Sequence, residues 1–192
     1  MTHSIGIIYG TSEGQAEKIA GRIARKLGDL GIDVETYDAE QLPSSVEFQR
    51  YDGLIVGASI HAGSYPKSIA RFIRNHHEEL EKSKAAFFSV SLTASDESED
   101  AQEEIRGIID GFLKEVQWQP QMVESFAGAI PFSRYGFVKR SIMKLILRGR
   151  GEVVDASQDY EYTDWDQVDR FAESFGALLE TSEDTEEERP AR

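Results

Sequence analysis

The chain has 192 residues, with 35 Asp and Glu against 21 Lys and Arg, a formal net charge of −14 and no cysteine. That length fits one domain able to bury a layered core unaided, and the missing cysteine excludes disulfides, thiolate metal sites, iron–sulfur ligation and dithiol chemistry, so any redox role belongs to a bound cofactor. The charge repels phosphate backbones and argues against a nucleic-acid partner; it suits a high-salt cytoplasm and an ordinary acidic protein equally well.

In chain order, Met1 to Ser4 carry no basic n-region, and no stretch approaches the roughly 18–20 apolar residues that span a bilayer, so the expectation is a cytoplasmic protein that at most touches the inner face of a membrane. Ile5 to Tyr9 is a continuous apolar run ending at Gly10, the pattern of a strand buried on both faces. Ile19, Ala20, Ile23, Ala24, Leu27 and Leu30 recur at helical spacing, with Gly31 placed as a C-terminal cap. Val34 to Tyr37 and Leu54 to Ala58 read as the next two strands. Ile69, Phe72, Ile73 and His76 trace a helix and Ala86 to Leu92 a fourth strand. Ile105, Ile108, Ile109, Phe112, Leu113 and Val116 trace another helix, and Met122 to Ile130 a fifth strand. Val168, Phe171, Ala172, Phe175, Leu178 and Leu179 form the last helix, for which Thr163 and Asp166 have capping-box spacing.

Strict alternation of strand and helix predicts an α/β fold, an open five-stranded parallel sheet with helices on both faces. Residues 1–180 form one domain on this reading, interrupted by an insertion over 131–160, while 181–192, rich in like charges, form an acidic disordered tail. The insertion supplies about thirty residues that such a sheet does not require.

Thr11-Ser12-Glu13-Gly14-Gln15 lies between the first strand and its helix. Outward N–H groups, two hydroxyls and the positive end of a helix dipole suit a phosphate there, even on an acidic protein. An ordinary strand-to-helix turn favours the same residue types. The loop lacks both the Walker pattern and the three-glycine dinucleotide fingerprint. Ligands of open sheets bind beyond the carboxyl ends of the strands, at the switch between the first and third. That brings Ser59, Ile60, His61, Gly63 and Tyr65 alongside, with Ser91, Leu92 and Thr93 closing the other side. His61 is a candidate proton carrier on its position and residue type, ahead of His76 and His77, which fall on a helix. No pair of side chains declares itself a catalytic dyad.

Arg134, Lys139, Arg140, Lys144, Arg148 and Arg150 lie in a segment without any acidic residue. As a helix, Phe137 to Leu147 would set Val138, Ile142, Leu145 and Ile146 against Arg140, Lys144 and Arg148. Such an amphipathic piece suits an anionic ligand or lipid surface, or packs on the sheet or a second subunit.

Thr11 to Gln15, Val56-Gly57-Ala58-Ser59-Ile60 with Gly63 and Tyr65, and Ala86 to Leu92 are joined by later elements. These are Phe126-Ala127-Gly128-Ala129, Arg134-Tyr135, Ile142 to Ile146, Gly151-Glu152 and Tyr162-Thr163-Asp164-Trp165. Together they resemble the menaquinone-dependent protoporphyrinogen oxidase family of flavodoxin-like proteins, from about Ile5 to about Leu179. The resemblance implies a flavodoxin-like fold, FMN as cofactor, and oxidation of protoporphyrinogen IX in heme biosynthesis with electrons passed to a membrane quinone, the membrane being met through residues 134–150. Ala16 stands where related loops often carry threonine, and Glu13 adds a carboxylate. The alternatives are an electron-shuttling flavodoxin, which needs no basic arm and commonly stacks its flavin between aromatics, and a flavodoxin-like binding module without flavin.

Overall fold

The computed structural model describes residues 3–130, 132–134, 155 and 157–180. The elements are β1 (Ser4–Gly10), α1 (Gln15–Asp29), β2 (Asp33–Asp38), β3 (Gly53–Ser59), α2 (Lys67–Asn75), α3 (His77–Lys82) and β4 (Lys84–Ser91). They continue with α4 (Glu99–Glu115), β5 (Met122–Ala127), β6 (Ala129–Ile130), β7 (Tyr160–Glu161) and α5 (Trp165–Glu180). Strands β1 to β5 form one parallel sheet in the order β2-β1-β3-β4-β5, the open architecture that strand–helix alternation predicts.

Helices cover both faces. Ile5, Ile7, Ile55, Phe88, Val90 and Phe126 pack against Ile19, Ile23 and Leu27 of α1 and Phe171 and Phe175 of α5. On the opposite face Ile8, Leu54, Val56 and Phe87 meet Ile69, Phe72 and Ile73 of α2 and Ile105, Ile109 and Phe112 of α4. Burial on both faces is why β1, β3 and β4 read as unbroken apolar runs, whereas β2, an edge strand, keeps Asp33, Glu35 and Thr36 exposed.

Two expectations are corrected. The fifth strand does not run to Ile130: it leaves the sheet at Ala127, because the Gly128 N–H donates to the Ser91 carbonyl at 2.9 Å and its own carbonyl accepts from Tyr162 at 3.0 Å. Ala129–Ile130 then pair antiparallel with Tyr160–Glu161. Nor do Thr163 and Asp166 make a capping box. Thr163 is buried with its hydroxyl donating to the Ala127 carbonyl at 2.6 Å, and Asp164 caps α5, its Oδ1 accepting from the N–H groups of Asp166 (2.9 Å) and Gln167 (3.2 Å). The helix traced through Ile69 and His76 is followed by the short α3, turning at His76, whose ring packs against Phe48 and Phe72.

Helix α4 ends at Glu115 with Val116 as its C-cap, and Gln117 follows at φ 56°, the left-handed region where a side chain is strained and glycine is not. Gln117→Gly is therefore expected to raise stability by about 0.5–1 kcal/mol, read as a higher denaturant midpoint at unchanged slope. The α1–α5 seam is laced by Arg22, which donates to both Asp169 oxygens at 2.7 and 2.6 Å, and by Lys26, 2.7 Å from Glu173. The hydrogen bond and charge of Arg22 hold the Asp169 carboxyl below its ordinary value against the opposing effect of burial. A depressed native value means the stabilisation is present above the unfolded carboxyl's range and is lost as pH falls through it. Asp169→Asn is expected to flatten the acid limb of stability below about pH 4, leaving the neutral region less stable; urea titrations across that range measure it.

Candidate functional site

Beyond the carboxyl ends of β1, β3 and β4, three loops converge. In the first, Gly14 is the residue before α1 and adopts φ 92°, a left-handed conformation that lets the chain turn directly from strand to helix. Its N–H donates to Thr11 Oγ1 at 2.9 Å, and Thr11 Oγ1 lies 3.4 Å from Ser59 Oγ, linking this loop to the end of β3. The first helical bond is Lys18 N–H to the Gly14 carbonyl at 3.1 Å. The amides of the first turn of α1 therefore have no acceptor within the helix and carry the positive end of its dipole. With the hydroxyls of Thr11, exposed Ser12 and Ser59, this donor set fits a phosphate monoester. Glu13 lines a cavity of about 250 Å³ on the hairpin side of the loop, with Gln15, Lys18, Ala129, Asp159, Tyr160 and Glu161.

In the second loop, the Ile60 N–H donates to the Val90 carbonyl at 2.8 Å, and His61 and Ser64 bridge each other at 2.9 and 3.2 Å around Ala62 (φ 49°) and Gly63 (φ 77°). Two consecutive positive φ values make a type I′ turn, which leaves His61 exposed at the tip. Tyr65 lies elsewhere. It is buried, its ring against Phe87 and Phe112, its hydroxyl donating to Ser89 Oγ at 2.8 Å, and burial pushes that hydroxyl up to about 12 despite the hydrogen bond. The expected loop aromatic is thus an anchor that holds the second loop on the sheet.

In the third loop, Ser91 Oγ accepts from the Ala94 N–H at 3.1 Å, and a short 3₁₀ turn covers Thr93–Ser95. Leu92 packs with Ile130, Phe132, Tyr160 and Tyr162 in a small cluster beneath the β6–β7 hairpin. The Ser133 N–H and hydroxyl both reach the Asp159 carboxylate at 2.7 Å, closing the hairpin stalk.

The structure brings Thr11, Ser12, Gly14, Ser59, Ile60, His61, Gly63, Ser91, Leu92 and Thr93 to one sheet edge. It turns Gln15 to another use, since the side chain is buried and donates to Glu161 Oε1 at 2.9 Å and Thr163 Oγ1 at 2.8 Å. Lys18 Nζ also lies 3.1 Å from Glu161. Burial raises the Glu161 carboxyl, but the hydrogen bonds from Gln15 and Lys18 outweigh it and the net direction is downward. Sequence reasoning missed Glu161 and the contact role of Thr163, for both meet the first helix from almost 150 residues away, and no local spacing announces such a contact. Lys139, Arg140, Lys144, Arg148 and the side chain of Arg134 fall outside the described residues. Among the described residues no helix is long and apolar enough to cross a membrane.

Comparison with known proteins gives three results. Residues 6–157 match the flavodoxin domain family. The chain is 31% identical to protoporphyrinogen IX dehydrogenase (quinone) of Escherichia coli strain K12, over 91% of this chain and 95% of that one. It is 34% identical to a protein of the same description from Leishmania major, over 90% of this chain and 74% of that one. A flavodoxin from the domain Archaea superposes with a TM-score of 0.51 at 13% identity, covering 92% of this chain and 99% of the other, a likeness of fold.

Proposed function

The chain belongs to the flavodoxin domain family and, within it, to the protoporphyrinogen IX dehydrogenases (quinone), and from that premise we propose that it oxidises protoporphyrinogen IX to protoporphyrin IX with FMN as cofactor and a quinone as electron acceptor. The observation that carries this reading is the identity of 31% running through 91% of this chain and 95% of its relative. When bound, FMN would supply the redox chemistry, for which the cysteine-free chain has no group of its own.

The chain's own residues have three tasks. Thr11, Ser12 and the first amides of α1 hold the phosphate, with Gly14 giving close backbone approach. The loops Ser59–Tyr65 and Ser91–Thr93 border the flat ring. His61, exposed at the turn, is the candidate to carry protons to and from water. Basic residues of the insertion, Arg134, Lys139, Arg140, Lys144 and Arg148, pair with the substrate's propionates or with anionic lipid as the protein meets the bilayer that holds the quinone. A single-electron shuttle is disfavoured by the two ring-bordering loops: Tyr65 is buried, and Leu92 to Ser98 contain no aromatic residue.

The test is anaerobic incubation of the flavin-loaded protein with protoporphyrinogen IX and a menaquinone analogue, following porphyrin fluorescence. Fluorescence that rises only with both protein and quinone is the expected result, and none above the protein-free rate overturns the reading. Gly14→Val should weaken FMN binding at least about 100-fold, measured by flavin fluorescence titration. The branched side chain opposes the left-handed φ by about 1–2 kcal/mol and removes the close backbone approach that glycine allows.

A further inference from the structure

The β6–β7 hairpin has two residues in each strand, too few to hold a position without external anchors. On one side Ile130 and Phe132, both fully buried, pack with Leu92 of the third loop. On the other the anchor is Gln15, in the first turn of α1, whose carboxamide nitrogen donates to Glu161 of β7 and to Thr163 beyond it. The Thr163 hydroxyl in turn donates a hydrogen bond to the carbonyl of Ala127, where the chain leaves the sheet. The Lys18–Glu161 pair runs parallel to this link but is exposed at both ends, so water and salt weaken it. Gln15 is 6% exposed and its bond to Thr163 is buried, so that competition reaches this link only at its Glu161 end.

We propose that Gln15 is a positioning residue that couples the phosphate-binding turn to the hairpin carrying residues 131–159. Occupation of the turn stiffens the hairpin, and the hairpin in turn holds the turn in its binding form. The proposal rests on the reading of the first loop as the FMN phosphate site. Its chemistry is a linkage: if the cofactor favours the coupled arrangement, breaking the Gln15 contacts removes the effect on the hairpin while leaving the phosphate donors in place. Nothing in the bond pattern of the first loop requires the Gln15 side chain, because the Gly14 N–H is held by Thr11.

The experiment is hydrogen exchange on the full chain with and without FMN, in the parent and in Gln15→Met, which keeps the side-chain length and removes both donors. In the parent, FMN should slow exchange of the Tyr162 amide, bonded to the Gly128 carbonyl, and of its neighbours in 129–130 and 160–162. In Gln15→Met, FMN should still bind, its affinity within about 10-fold of the parent, while the slowing in 160–162 disappears. With protoporphyrinogen IX, KM should rise about 10-fold with a smaller change in kcat, the pattern of a misplaced substrate-binding element. Should Gln15→Met not fold, Glu161→Ala breaks the link at its exposed end and should halve or better the FMN-induced slowing.

The coupling is overturned if FMN leaves exchange at 160–162 unchanged in the parent, if the slowing survives in the variant, or if the variant loses FMN affinity by more than about 100-fold, which would make Gln15 part of the loop itself. A parent that binds FMN and slows exchange yet does not oxidise protoporphyrinogen keeps the coupling and removes the proposed activity.

Discussion

Gly57→Ala should cost about 3 kcal/mol or more, at the upper end of overpacking effects, although it adds a single methyl group. The added Cβ in the middle of β3 would stand 1.9, 2.2 and 2.4 Å from three ring carbons of Phe88 on the neighbouring strand. That ring cannot step aside, being fully buried and in contact distance of Phe126 and Phe171, with centroids 5.8 and 6.4 Å away. Phe88→Ala alone should cost about 3–5 kcal/mol through the cavity it leaves. In that background Gly57→Ala should cost little, giving strong non-additivity between two residues in contact. Urea unfolding of the two single variants and the double variant measures it. A single Gly57→Ala cost below about 1 kcal/mol would mean that the ring has a second well-packed position.

The second large effect concerns the inserted segment and is functional. Replacing residues 135–154 by a short Gly/Ser linker should leave the sheet and FMN binding nearly intact, because the described stalk carries its own anchors. Phe132 is buried in its small cluster, Ser133 is bonded to Asp159, and Gln15 is bonded to Glu161 and Thr163. Replacement of exposed connecting chain away from such anchors is generally tolerated. Porphyrinogen oxidation and quinone reduction should fall at least about 100-fold, with the flavin still reducible by dithionite, since the loss is of substrate placement and not of the redox centre. Loss of flavin or failure to fold would instead make the segment part of the core. Turnover at the parent rate would remove the insertion from the mechanism.

The sheet was legible in the sequence because its central strands are buried on two faces. Ile5, Ile7 and Ile8 in β1, Leu54 to Val56 in β3 and Phe87 and Phe88 in β4 leave no room for polar residues, so each strand is a plain apolar run with helices between. The turn from β1 into α1 was legible from its local residues. Turning from a strand straight into a helix needs a residue at positive φ, and Gly14 supplies it within a short local pattern that also presents hydroxyls.

What escaped the sequence depends on partners far along the chain. Met122 to Ile130 reads as one strand by hydropathy, yet Gly128 donates to Ser91 and accepts from Tyr162, ending the sheet early. Thr163 has the right spacing for a cap, but the carbonyl of Ala127 takes its hydroxyl and Asp164 becomes the cap. Tyr65 stands in a glycine-rich loop and resembles a ligand-facing aromatic until Phe87, Ser89 and Phe112 are seen to enclose it. Sequence alone thus determined the fold class, the helix that opens at Gly14 and the extra length after the fifth strand, all set by periodicity and local turn chemistry. Only the tertiary structure decided that the Gln15 side chain faces the hairpin, because a buried amide goes to whichever acceptors the fold brings within reach, and here those are Glu161 and Thr163.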